Sequence, residues 1–112
     1  MGKDELDKVL FLVLFLIQAL MALMAIPLVL EMVPPNGAYG VRTAASFTSN
    51  EAWYAINFRA GVGMLVSSVL SVPLCFAIVK FVDKSRGYRG LYALGGYFLL
   101  LMISLSIADQ GY

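Results

Sequence analysis

The side chains best suited to hold a polar ligand crowd into one stretch of this chain. Glu31, Asn36, Arg42, Thr43, Ser46, Thr48, Ser49, Asn50, Glu51, Trp53, Asn57 and Arg59 all fall within 29 consecutive positions of a 112-residue sequence that is 61% hydrophobic. The chemistry open to them is recognition. A guanidinium such as Arg42 can grip a carboxylate or phosphate through two parallel hydrogen bonds. The bland alternative is an interfacial or re-entrant fold. There Arg42 pairs with Glu31 or Glu51, Trp53 sits in the lipid headgroups and Asn57 bonds to exposed backbone. Spacing alone favours that alternative.

Catalysis is a poor fit. The chain has no histidine and one cysteine, Cys75, inside an apolar run. That removes Ser-His and Cys-His nucleophiles, disulfide frameworks and the common zinc sites. No spacing supplies a base, a nucleophile or a metal set, so no catalytic residue, metal or cofactor is expected. Cys75 reads as a small packing residue. Net charge is +1 and no basic patch carries interleaved aromatics, which argues against nucleic acid as a partner.

The elements that must position the polar stretch are membrane spans. Only 13% of the residues are charged, against about 25% in an average soluble domain. Three apolar runs stand out: 9–30, 60–82 and 91–108. Crossing the hydrocarbon takes about 20 such residues. The first run is too long for a cleaved signal peptide and is read as a retained helix. The fold class is therefore an all-α membrane protein. A polar loop (31–57) joins the first two spans and a basic loop (83–90) joins the last two. Pro34-Pro35-Asn36-Gly37 marks a turn. Thr48-Ser49-Asn50-Glu51 fits a capping box that opens a short interfacial helix.

Positive charge sets the expected orientation. Lys3, Lys8, Lys80, Lys84, Arg86 and Arg89 share one side, and Arg42 and Arg59 the other. Six against two puts the N-terminus in the cytoplasm, and the polar loop and C-terminus outside. Gly63, Ser67, Ser71 and Cys75 recur every four residues in the second span, a ridge that lets helices approach closely within the bundle or across a homo-oligomer. Gly95-Gly96 offers the same in the third. Gln18 is the one strongly polar side chain in the first span, and it reads as a hydrogen-bonding contact between helices. No ionisable group lies at the centre of a span, which weighs against proton-coupled transport.

The segment Pro35-Asn36-Gly37-Ala38-Tyr39-Gly40-Val41-Arg42-Thr43, followed by Trp53, Asn57 and Gly61, resembles the signature of the SdpI family of membrane immunity proteins. In that family a proline-rich turn leads into a Gly-x-Arg-Thr element, then a Trp, an Asn-Arg pair and a Gly. Gly40, Arg42 and Thr43 match the first element, Trp53 the aromatic and Asn57 the Asn. The Arg due after Asn57 is replaced by Phe58, and Arg59 stands one place later, a rotation of about 100° on a helix. The likeness covers roughly residues 34–63 in a compact three-helix form; longer members carry more spans. It implies a non-enzymatic protein of the bacterial inner (plasma) membrane that protects its cell against a toxic peptide. It also implies signalling by holding a cytoplasmic repressor at the membrane, for which the basic loop could be the dock. The plainer role for that loop is fixing topology and meeting anionic headgroups. The alternatives are an accessory subunit of a larger membrane complex and, last, a small transporter.

Overall fold

The computed structural model describes residues 2–83 and 88–108. Each apolar run is a helix: α1 spans Lys3–Val29, α2 Asn50–Phe81 and α3 Arg89–Ala108. All three are long and apolar enough to cross a membrane. At 1.5 Å per residue α2 is about 48 Å long and α3 about 30 Å. The first two turns of α2 therefore project past the apolar run and into the polar segment. That continuity departs from the expected separate interfacial helix. Residues 44–47 form only a turn, and from Asn50 the chain is one unbroken helix. The N-cap is Ser49, whose hydroxyl accepts the Ala52 N–H at 3.0 Å. Thr48 donates to the Ala45 carbonyl at 2.7 Å instead.

The helices run up, down and up. α1 and α3 are parallel, and α2 lies antiparallel to both. Their contacts fix the register. Gly61 meets Ala25, Leu28 and Val29 of α1, while Gly63 meets Ser104 and Gly96 meets Leu74 across the α2–α3 face. A Cβ on Gly61 would sit 2.8 Å from Val29 Cγ2 and 3.0 Å from the Ala25 carbonyl. Hydrogen there is what brings α1 and α2 together. The Ser67 and Ser104 hydroxyls bond at 3.0 Å, and Ser71 is buried. So Gly63, Ser67 and Ser71 pack inside this chain. Gly96 does too, whereas Gly95 faces open space.

The distribution of side chains is inverted relative to a soluble bundle. Small or polar groups such as Ser67, Ser71, Ala60 and Ala93 are buried, while Leu23, Val69, Phe76, Leu99 and Met102 point outward. Close backbone approach drives packing where the solvent is as apolar as leucine. The core gathers Leu14, Ile78, Ala93, Tyr97 and Leu101, with Cys75 against its edge. The Gln18 amide nitrogen and the Tyr97 hydroxyl are buried with no hydrogen-bond partner among the described residues. The interhelical bond expected of that amide nitrogen is not made.

Two proline effects shape α1 and α2. Pro27 and Pro73 lie inside them and remove one ladder donor each. α1 stops two residues after Pro27. The Met32 N–H reaches the Pro27 carbonyl at 2.9 Å and the Glu31 N–H the Leu28 carbonyl at 3.2 Å. Those two bonds define a Schellman stop, with Glu31 at the left-handed position usually given to glycine. Its φ is 56°.

Candidate functional site

The polar segment is held by its own side chains before any helix contributes. Asn36 uses all four of its hydrogen-bonding positions. Its amide donates to the Pro34 carbonyl at 2.7 Å and the Tyr39 carbonyl at 3.0 Å; its oxygen accepts from Ala38 at 2.8 Å and Tyr39 at 2.6 Å. This is the local Asx bonding that makes Asn a turn residue. Thr43 and Ser46 do the same three residues apart: the Thr43 N–H donates to Ser46 Oγ at 2.8 Å and the Ser46 N–H to Thr43 Oγ1 at 3.1 Å. Ser46 is fully buried.

Three side chains then tie the segment to the helices. The Trp53 indole N–H donates to the Val33 carbonyl at 2.8 Å. Asn57 Oδ1 accepts the Val41 N–H at 2.6 Å, and its amide donates to the Trp53 carbonyl at 3.0 Å and the Val41 carbonyl at 3.4 Å. The Tyr39 hydroxyl donates to the Met24 carbonyl of α1. Burial raises the Tyr39 phenol above its ordinary value of 10.0, because the phenolate would lose its hydration.

Gly40 closes the arrangement. Its φ is +109°, a conformation that L side chains rarely adopt. A Cβ there would lie 2.8 Å from Asn57 Oδ1 and 3.2 Å from the Trp53 ring. Gly40, Trp53 and Asn57, spread over 18 positions of sequence, therefore form one contact. Trp53 is 0% and Asn57 2% exposed. Trp53 is not in the headgroups as its type suggests; it is the buried floor of the segment, with the Phe47 ring 5.3 Å away.

The match of residues 32–108 to the model for the SdpI/YfhL protein family covers this segment together with α2 and α3. The chain belongs to the SdpI/YfhL protein family. No curated protein and no solved structure gives a significant match. With the signature residues of an SdpI-like membrane protein in place, their positions can be compared. Gly40, Trp53 and Asn57 come together, and Thr43 shapes the adjoining turn. Arg42 does not join that contact. It is exposed, and its guanidinium donates to the Gly37 carbonyl in place of the expected pairing with Glu31 or Glu51. Arg59 leaves the group altogether and donates to the Ala108 carbonyl of α3 at 3.2 Å. Phe58, in the place of the family's Arg, faces outward. Gly61 of the SdpI signature is the α1–α2 contact already described.

Sequence reasoning missed the opposite end of the bundle. Asp7 is 7% exposed, and its carboxylate accepts the Gly90 N–H at 3.1 Å. That places a negative charge on the first turn of α3, where free N–H groups and the helix dipole favour it. Arg89 reaches back to the last turn of α2, donating to the Val82 carbonyl at 2.9 Å and to Val79, the matching cation at a helix C-terminus. Nothing in the spacing of Asp7 among Lys3, Asp4, Glu5 and Lys8 separates it from a solvated charge run. Lys84 and Arg86 of the basic loop lie outside the described residues. Among the described residues no cluster of acidic or sulfur side chains suits a metal ion.

Proposed function

We propose that this chain is an immunity-type membrane protein whose polar segment, facing out of the cell, recognises a toxic peptide or blocks its action on the membrane. The observation that carries the reading is a division of labour within the SdpI signature. Buried Trp53 and Asn57, packed against Gly40, hold the segment in one shape, and this leaves Arg42, Met32 and Phe47 exposed on its rim. A rim fixed in advance loses little freedom on binding. Its chemistry is an exposed guanidinium and two exposed apolar side chains carried by one segment. That suits an amphipathic peptide bearing a carboxylate, which Arg42 would take through two hydrogen bonds.

Cells carrying the wild-type chain, challenged with a secreted peptide toxin, test this directly. Arg42→Ala and Phe47→Ala are expected to lose protection at unchanged membrane level. Asn57→Ala is expected to lose protection by a different route, opening the segment to proteolysis while the helices persist. Full protection by Arg42→Ala and Phe47→Ala together would overturn the recognition role. Stable co-purification with a larger assembly in mild detergent would favour the accessory-subunit reading instead.

The orientation proposed is N-terminus inside and C-terminus outside, and reporter fusions at the two ends check it. Signalling through the basic end has weaker support. Arg89 is engaged by α2, which leaves Lys80 together with Lys3 and Lys8 of α1 as exposed cations at that end among the described residues.

A further inference from the structure

The centre of the bundle carries two polar groups that no described protein atom answers, a feature independent of the recognition role above. The Gln18 amide nitrogen and the Tyr97 hydroxyl are buried without a hydrogen-bond partner among the described residues, and Tyr97 is 0% exposed. Turning the amide over would exchange an unmet donor for an unmet acceptor at the same place. Lipid tails offer neither kind of partner, so a buried polar group left alone there is costly. Gln18 and Tyr97 also stand near the middle of their apolar runs, 9–30 and 91–108. Both therefore lie near mid-depth of the span.

The helix contacts bring the two groups to one level. Gly90 of α3 rests on Asp7 and Leu10 of the parallel helix α1. Seven residues further along both helices, about 10 Å, Tyr97 is level with Leu14 and Ile17. Leu14 shares the buried core with Tyr97, and Ile17 and Met21 pack against it, so Gln18 lies within the same turn. The third helix adds Ser71. Gly61 of α2 rests on Ala25 and Leu28; ten residues along this antiparallel pair, Ser71 is level with residues 15–18 of α1. Ser71 is 1% exposed, and its hydroxyl donates to the Ser68 carbonyl at 2.8 Å, which leaves its oxygen able to accept. It also lines the groove of about 370 Å³ between α1 and α2, so the layer has room beside it. A buried water needs such room and about two to four polar partners. An amide, a phenol and a hydroxyl, one from each helix, supply them in an otherwise apolar core of Leu14, Ile78, Ala93 and Leu101.

We infer that the three helices hold an internal water at mid-membrane, which accepts from the Gln18 amide and the Tyr97 hydroxyl and donates to the Ser71 oxygen. It ties α1, which lies before the family's matched residues 32–108, to the α2–α3 pair. The full chain in lipid nanodiscs is given brief X-ray pulses, which turn bound water into hydroxyl radical, and the labelled residues are read by mass spectrometry. Tyr97 is expected to be labelled as readily as the exposed Tyr88, with buried Leu14 and Leu101 beside it left unlabelled. Gln18→Leu should remove the Tyr97 label. If Gln18→Leu fails to accumulate, Tyr97→Phe, which keeps the ring and drops the hydroxyl, carries the test, and the ring at position 97 should no longer be labelled. No label on Tyr97 in wild type, or a label unchanged by either variant, would overturn the proposal. So would equal labelling of Leu14 and Leu101, since the bundle would then be opening to solvent and holding no fixed water.

Discussion

The Asp7 carboxylate and the Gly90 backbone N–H, 83 residues apart, meet at 3.1 Å and lock α1 to the start of α3. Glycine at 90 is what allows it. A Cβ there would lie 2.6 Å from Leu10 Cβ and 3.0 Å from the Asp7 carbonyl. Since the atoms in the way include backbone, the helices themselves would have to part.

Gly90→Ala is therefore expected to destabilise the bundle more than its helix propensity gains. Asp7→Ala should cost about 1–2 kcal/mol, the range for a lost N-terminal cap with a favourable dipole. Asp7→Asn keeps an acceptor and should recover part of it. Unfolding of the purified protein in mild detergent reads all three. If Asp7→Ala matched wild type, the carboxylate would be a solvated charge and not a cap.

The other end of the molecule turns on a three-residue contact. Gly40→Ala places a methyl group against Asn57 Oδ1 and the Trp53 ring at a φ of +109°, so two penalties coincide. Asn57→Ala strips the Val41 N–H of its acceptor, and a buried unpaired backbone group costs about 1–3 kcal/mol. Both variants should open the segment to proteolysis between residues 31 and 49 while the three helices persist. Arg42→Ala should leave the cleavage pattern unchanged, because its one described bond lies on the exposed surface. Equal cleavage in all three would erase the division between holding and presenting residues.

That division explains what could and could not be read from the sequence. The three spans were legible because hydrocarbon demands long apolar runs, and each of α1, α2 and α3 takes in nearly all of one run, α1 and α2 starting well before it. Asn36 was legible as a turn because its bonds are local. Trp53 was misread for the headgroups because residue type reports the average environment of tryptophan, whereas its burial depends on Val33 and Gly40 reaching it through tertiary folding. The cap was placed one residue early, since Thr48 and Ser49 are equivalent N-cap types and only the backbone geometry chooses. Asp7 and Arg89 were invisible as partners of helix ends because those contacts join elements that the chain brings together only in three dimensions.

Tyr39 gives the polar segment a dependence on alkaline pH. Burial raises its phenol above 10.0, and its hydroxyl donates to the Met24 carbonyl. A raised folded-state value means that the folded form holds the proton more tightly. The contribution to stability is complete below pH 10 and is lost as pH rises through the folded value. Melting measured from pH 8 upward should fall faster for wild type than for Tyr39→Phe once pH passes about 10. Parallel curves would mean that the phenolate is as well accommodated as the phenol.

Glu31 offers the sharpest separation of stability from function. It occupies the left-handed position of the stop that ends α1, at φ 56°. A residue with a Cβ there costs about 1–2 kcal/mol relative to glycine, partly offset because glycine loses more freedom on folding. Glu31→Gly should therefore raise stability by about 0.5–1 kcal/mol. Glu31→Ala keeps the Cβ and should give no such gain. A residue with a Cβ in this left-handed position, at an exposed turn next to the proposed recognition surface, makes the Glu31 carboxylate the group to test for a part in the proposed recognition. The expected pattern is a more stable Glu31→Gly that protects cells less well than wild type, with Glu31→Ala equally impaired and no more stable. If Glu31→Gly gains stability and protects fully, the carboxylate has no part in recognition, and the rim reduces to Arg42, Met32 and Phe47. If it gains no stability, the freedom that glycine loses on folding already offsets the left-handed cost.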